Sequence, residues 1–179
     1  MSTLWYDNVS LQTVNKFRGE FIRTSQKIYP YFAGGLFYIP GAENKFAPYA
    51  QYKEEFKEVL TSKRISMKDY LYGTKRSALV FNTPSVCHCH GWKLAEYLSM
   101  GKAIISTPLS NVMPGDFIDG VHYICCDDIQ HLESVIRSMH DNEAKRQALK
   151  SNAKKYYEEY LSPLAVVKRI LDRAYLCVN

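Results

Sequence analysis

The stretch Thr83 to Thr107 reads TPSVCHCHGWKLAEYLSMGKAIIST, and its interpretation decides the fold. It begins with alternating cysteine and histidine at Cys87, His88, Cys89 and His90, which invites a metal site. It then continues as a helical phrase, HGWKLAEYLSM, closed by Gly101, and an apolar phrase, KAIIST, that reads as a strand. A structural zinc centre needs two ligand pairs at workable spacing, and no C-x2-C or H-x3-H spacing occurs in the chain. The partners left for a second pair are the adjacent Cys125 and Cys126 or a lone histidine such as His122, and neighbouring cysteines make poor tetrahedral ligands. The weight therefore falls on packing: Cys87 and Cys89 fill space beside a sheet, the histidines line a loop, and Cys125 and Cys126 continue the strand phrase VHYICC into the core. No metal is expected.

Outward from this stretch the pattern is alternating. Ser66 and Asp69 in SMKDYLYGTKRS match a capping box that starts a short helix, and ALVFN follows as a strand. VHYICC is a further strand, with a helix beginning near Asp127 or Asp128. Leu11, Val14, Phe17, Phe21 and Ile28 recur at helical spacing, so Leu11 to Ile28 is a helix laid on a core. The run YFAGGLFYI, Tyr31 to Ile39, reads as a buried strand, and QYKEEFKEVL between Pro40 and Lys63 as a helix. Asn142 to Tyr160 is a charged helix. Ser162-Pro163 then starts a last helix with Leu164, Val167, Leu171 and Ala174 as its apolar face. Strands separated by helices imply parallel pairing with right-handed crossovers, an α/β class.

The 179 residues, 46% hydrophobic and 23% charged, suit a single domain over 1–179. A net charge of +5 spread along the chain favours a phosphate-bearing small molecule over nucleic acid. No run approaches the roughly 20 apolar residues of a membrane span, and the first residues lack signal-peptide character, so a cytoplasmic location is expected. The five cysteines are read as reduced thiols.

The loop after ALVFN lies at the carboxyl end of a parallel strand and enters the amino end of a helix, where ligands of open α/β sheets bind. Backbone N–H groups of Gly91, Trp92 and Lys93 would face an anion there, and the helix dipole adds partial positive charge. Lys93 and Glu96, three apart, share a face; a lysine neutralises phosphate and a carboxylate accepts from paired hydroxyls, although in isolation the pair reads as a solvated salt bridge. Trp92 offers a stacking surface, against the commoner role of packing in the core. Arg64, Lys75 and Arg76 flank the preceding helix and read as its solvated surface.

These residues, GWKLAEYLSMGKAIIST, resemble the donor-binding half of GT-B glycosyltransferases of the glycosyl transferases group 1 type, over roughly Ser66 to Leu171. The resemblance implies a Rossmann-like three-layer sandwich with a parallel sheet, matching the carboxyl-terminal half of such an enzyme. It also implies sugar transfer from a nucleoside-diphosphate sugar, a place in polysaccharide biosynthesis and no further cofactor. It assigns Glu96 to the ribose hydroxyls and the helix start, with Gly91, Trp92 and Lys93, to the diphosphate. Where many members carry a first glutamate this chain has His88, a potential sugar contact, with His90 beside it in the same loop. The catalytic residues stay unassigned. The glycine-rich turn that usually follows the first strand is not found in Met1 to Ser10, and acceptor binding is expected from an amino-terminal domain or partner subunit. The 14 tyrosines suggest an apolar face where such a partner would dock. Three alternatives stand beside this reading: an exostosin-like transferase, a non-catalytic nucleotide-binding or regulatory module, and a Cys/His zinc protein.

Overall fold

The computed structural model describes residues 2–3, 12–29, 31–44, 47–85 and 88–178. Every strand pairing is parallel, in two three-stranded sheets: β1 (Ser2–Thr3), β2 (Leu36–Phe37) and β3 (Leu60–Thr61) in that order, and β4 (Leu79–Asn82), β5 (Ala103–Ser106) and β6 (Ile124–Cys125) in that order. Helices alternate with them: α1 (Gln12–Ile28), α2 (Ala47–Glu55), α3 (Met67–Arg76), α4 (Trp92–Ser99), α5 (Leu132–Asp141), α6 (Glu143–Tyr156) and α7 (Pro163–Val178). This is the expected Rossmann-like α/β organisation. The chain divides into two compact units, Met1–Ser77 with Cys126–Asn142, and Ala78–Cys125 with Glu143–Asn179.

In the first unit α1 buries Val14, Phe17, Phe21 and Ile22, as its apolar spacing requires, and packs against α5. Leu11, the first residue of the expected stripe, lies outside the described residues. Ser2 and Thr3 form β1, and residues 4–11, where the glycine-rich turn was sought, lie outside the described part. The expected cap at Ser66 is formed: Asp69 N–H donates to Ser66 Oγ at 3.1 Å, and the Ser66 hydroxyl donates to Asp69 Oδ2 at 2.7 Å. Arg64 lies over the Phe37 ring and Arg76 donates to Tyr72 Oη, so both cations are spent on aromatic neighbours within this unit.

Two expectations here are corrected. Of Tyr31 to Ile39 only Leu36 and Phe37 pair as strand; Gly34 takes φ +151 and Tyr31 is 96% exposed, so apolar composition alone did not make a ladder. QYKEEFKEVL is helical only to Glu55; Lys57–Val59 is a 3-10 turn and Leu60–Thr61 is β3, because pairing with Leu36 and Phe37 outweighs the local helical spacing.

The second unit holds the functional stretch. β5 is buried at all four positions and lies between β4 and β6, in register Leu79↔Ala103 through Asn82↔Ser106 on one side. Val80, Leu94, Tyr97, Leu98, Ile104, Tyr123, Ala153 and Tyr156 form its core. Each large aliphatic among them contributes about 1.5–3 kcal/mol on burial. VHYICC shortens to β6, since Asp119 to Tyr123 is a turn closed by the bond from Gly120 N–H to Tyr123 O and Val121 is exposed. The thiol of Cys126 is buried as expected, whereas Cys125 is half-buried.

The joint between α4 and β5 follows the sequence closely. Gly101 sits at φ +58, its N–H donates to Leu98 O at 3.0 Å and the Lys102 N–H donates to Tyr97 O at 3.0 Å, the paired bonds of a Schellman close. After α6 a π-helical turn, Tyr157–Leu161, leads to Ser162, whose Oγ accepts from Ala165 N–H and caps α7 with Pro163 in the first turn. The apolar stripe of α7 faces outward: Leu164 is 80% exposed, and Val167, Ile170, Leu171 and Tyr175 are also exposed.

Gly101→Ala is expected to lower stability by about 1–2 kcal/mol through its left-handed backbone alone. A Cβ there would also stand 3.1 Å from the Lys150 carbonyl oxygen, adding to the cost. A fall in the urea midpoint without a change in slope checks this.

Candidate functional site

The site forms where β4 and β5 end. Asn82 Nδ2 donates to Ser106 Oγ at 3.0 Å, Ser106 Oγ–H donates to Thr107 O at 2.7 Å, and the Thr107 N–H donates to Asn82 O at 3.3 Å. Two strand ends are thereby tied together, and the two loops that leave them start from a fixed point. Thr107 is only 6% exposed, and its Oγ1 is buried with no hydrogen-bond partner among the described residues.

The loop after β4 folds back on itself: Ser85 N–H donates to Cys89 O at 2.9 Å. His88 occupies φ +55, a conformation that costs a non-glycine residue about 1 kcal/mol or more, and its carbonyl is held by the Ser110 hydroxyl. His88 and Cys89 are exposed, whereas His90 is half-buried, and its ring reaches the loop after β5. Asn82, Pro84, His90, Pro108, Leu109 and Ser110 line a narrow crevice between the two loops, too tight in this structure to admit a water molecule.

Gly91 is the N-cap of α4, with φ −70 and ψ 154 and no side-chain hydrogen bond closing the helix start. Nothing in this geometry demands glycine: a Cβ at position 91 would lie 3.6 Å from Ser85 Cβ, an ordinary contact. Trp92 follows at 72% exposure, so it does not pack in the core. Lys93 and Glu96 are half-buried on α4, one turn apart, and both already interact within the protein. Leu94, Tyr97 and Leu98 supply the buried face of the helix, and Ala95 is exposed.

The loop after β5 is braced from outside the crevice. Tyr156 Oη donates to Pro114 O at 2.5 Å, and burial pushes its pKa up to about 12, so it remains a donor at neutral pH. Phe117 stacks between His122 and Tyr123, with ring centroids 5.4 and 4.8 Å away. A cavity of about 410 Å³ lies along this loop, lined in part by Leu109, Asn111, Met113, Asp116 and Tyr123.

The structure thus gathers Gly91, Trp92, Lys93 and Glu96 on one short helix and His88 and His90 on the loop before it. Sequence reasoning passed over Asn82, Ser110, Asn111 and Met113, whose partners lie more than 20 positions away and leave no local signature. Among the described residues no group of three or more His, Cys, Asp or Glu side chains gathers to hold a metal; Cys87 lies outside the described residues.

An open parallel sheet with a crevice at its strand ends and an uncapped helix start beside it is the arrangement of nucleotide-binding α/β domains. Comparison with solved structures narrows the class. The carboxyl-terminal domain of a glycosyl transferase group 1 family protein, LpcC, from Francisella tularensis superposes with TM-score 0.58 at 12% identity, covering 89% of this chain and 84% of that one. HepE from Anabaena, in complex with UDP and glucose, gives 0.66 at 14% identity over 97% of this chain and 47% of that one. A glycosyltransferase from Rickettsia africae gives 0.61 at 11% identity, with 96% and 45% covered. The chain therefore has the fold of the GT-B carboxyl-terminal domain, and it spans about half the length of HepE and of the Rickettsia enzyme. No known family profile matches the sequence. No curated protein matches it either. No described helix is long and apolar enough to cross a membrane.

Replacing Thr107 by valine removes a buried hydroxyl that has no partner among the described residues, so stability is expected to hold or to rise by about 1 kcal/mol. Thermal and urea unfolding of the variant provide the check.

Proposed function

We propose that this chain is the donor-binding domain of a glycosyltransferase and takes a nucleoside-diphosphate sugar in the crevice before α4. The observation that carries the proposal is Gly91: a glycine that the fold does not need, at an uncapped helix start, flanked by an exposed indole and followed one turn on by Lys93 and Glu96. Absence of a Cβ there lets a phosphate approach the backbone, as close anion binding at a helix start requires. Glu96 accepts from the ribose hydroxyls, Lys93 offsets diphosphate charge, and Trp92 presents a face for a base or sugar. His88 stands near the transferred sugar.

In transfer, the sugar–phosphate bond breaks and the diphosphate leaves with the bonding electrons. Backbone N–H groups and Lys93 stabilise that developing charge electrostatically, so a divalent cation is not required. The acceptor is held by a second domain or subunit, for which the outward apolar stripe of α7 supplies a docking face. The structures of HepE in complex with UDP and glucose and with UDP-glucose support the donor class.

Isothermal titration with UDP, GDP, ADP and their sugar conjugates tests the reading. One nucleotide series is expected to bind, unaffected by EDTA, with Glu96→Ala weakening it by about tenfold or more as a charge-assisted hydrogen-bond pair is lost. Gly91→Ala is expected to weaken the same ligand while changing stability by no more than about 1 kcal/mol. Absence of binding to all three series, or an unchanged affinity in Glu96→Ala, would refute it.

A further inference from the structure

His90 has a use for both of its ring nitrogens, and neither faces away from the protein. The backbone N–H of Asn111 donates to Nε2 at 3.3 Å, which leaves Nε2 without a proton and places the ring hydrogen on Nδ1. Nδ1 lies 3.1 Å from Met113 Sδ, a weak acceptor suited to that hydrogen. A third link joins the same two segments, from Ser110 Oγ–H to the His88 carbonyl. The loop that enters α4 and the loop that leaves β5 are therefore fastened across the crevice, chiefly through one neutral imidazole.

We propose that His90 is the positioning residue that sets the width of the donor crevice, acting through Asn111 and Met113, and that its protonation releases the loop after β5. A second proton on the ring would set Nε2–H against the Asn111 N–H, two donors facing each other, so the fastening exists only in the neutral state. Burial lowers the pKa of His90 below its ordinary 6.5. The sign follows: between the ordinary value and the lower folded value the unfolded chain holds more protons than the folded one. The stabilisation is thus complete above about 6.5 and is lost as pH falls through the folded value. The titratable groups on the segments around it are His88 and Cys89 on its own loop, Lys93 and Glu96 on α4, and Asp116 beyond Met113 on the facing loop. His122, also lowered by burial, closes the far end of that loop by accepting from Ile118 N–H at 2.9 Å and is the second histidine to follow.

This inference deepens the nucleotide-sugar reading, and two separate readouts keep their failures apart. The first needs no ligand: nitrogen-15 spectra of the whole chain should show His90 protonated on Nδ1 at about pH 7.5, with protection of the Asn111 amide against hydrogen exchange lost in step with the ring's own second protonation as pH falls below its ordinary value. The second is the dissociation constant of UDP above and below that ring titration as the spectra locate it, expected to rise about tenfold on acidification in the parent protein. His90→Gln, whose amide accepts and donates at fixed charge, should restore binding relative to His90→Ala and show a clearly flatter profile. The titration of the UDP phosphate is common to both proteins and cancels in that comparison. If Asn111 protection does not depend on the His90 proton, or if His90→Gln keeps the full acid loss, the proposal is overturned. A pH-dependent Asn111 amide in a chain that binds no nucleotide supports the fastening and overturns the donor reading instead.

Discussion

The hydrogen bond from Asn82 to Ser106 is the constraint on which the rest of the site depends. It joins the carboxyl ends of two paired strands at the last residue pair of their register, Asn82↔Ser106, and the Thr107 backbone returns the link to Asn82. Both polar side chains are buried, so their pairing avoids a desolvation cost of about 1–3 kcal/mol for each group left unsatisfied. Since each loop starts within a few residues of this knot, their separation is set before either adopts its own shape. The aromatic brace of Tyr156, Phe117, His122 and Tyr123 then holds the second loop from behind.

α4 is the other fixed element. Its buried face of Leu94, Tyr97 and Leu98 anchors it on the sheet, and a three-residue turn, Met100 to Lys102, left-handed at Gly101, connects it to β5. Where the helix ends therefore determines where it begins, one eight-residue length away. That is why a glycine at position 101 matters for a helix start at position 91.

Features with short-range causes were legible in the sequence. The stripe Val14, Phe17, Phe21 predicted α1, the Ser66 cap predicted α3, Gly101 predicted the end of α4, and Ser162-Pro163 predicted α7. Those with distant causes were not. Leu60 and Thr61 continue a helical spacing but are taken by a strand whose partner, β2, is more than 20 residues earlier. Tyr31 shares the composition of its neighbours yet lies in solvent. The apolar face of α7 was legible as a stripe, while its outward direction is a property of what surrounds it. In the site, Gly91, Lys93 and Glu96 stood out by spacing on one helix; Ser110, Asn111 and Met113 lie in a loop whose sequence shows no period, and their roles emerge only from what they touch.

The way the chain is shared between its two compact units has a consequence for how the protein is made. The segment Cys126–Asn142 belongs with the first unit although it is preceded by β4, β5 and β6 of the second, and Glu143–Asn179 returns to the second. On the ribosome, α1 therefore waits for α5 to emerge before its apolar side is covered, and the β4–β6 sheet waits for α6. Neither unit is complete as an uninterrupted stretch of nascent chain, so both acquire their interiors late and within a short interval of translation. During that interval the exposed aromatic and aliphatic surface is a substrate for chaperones.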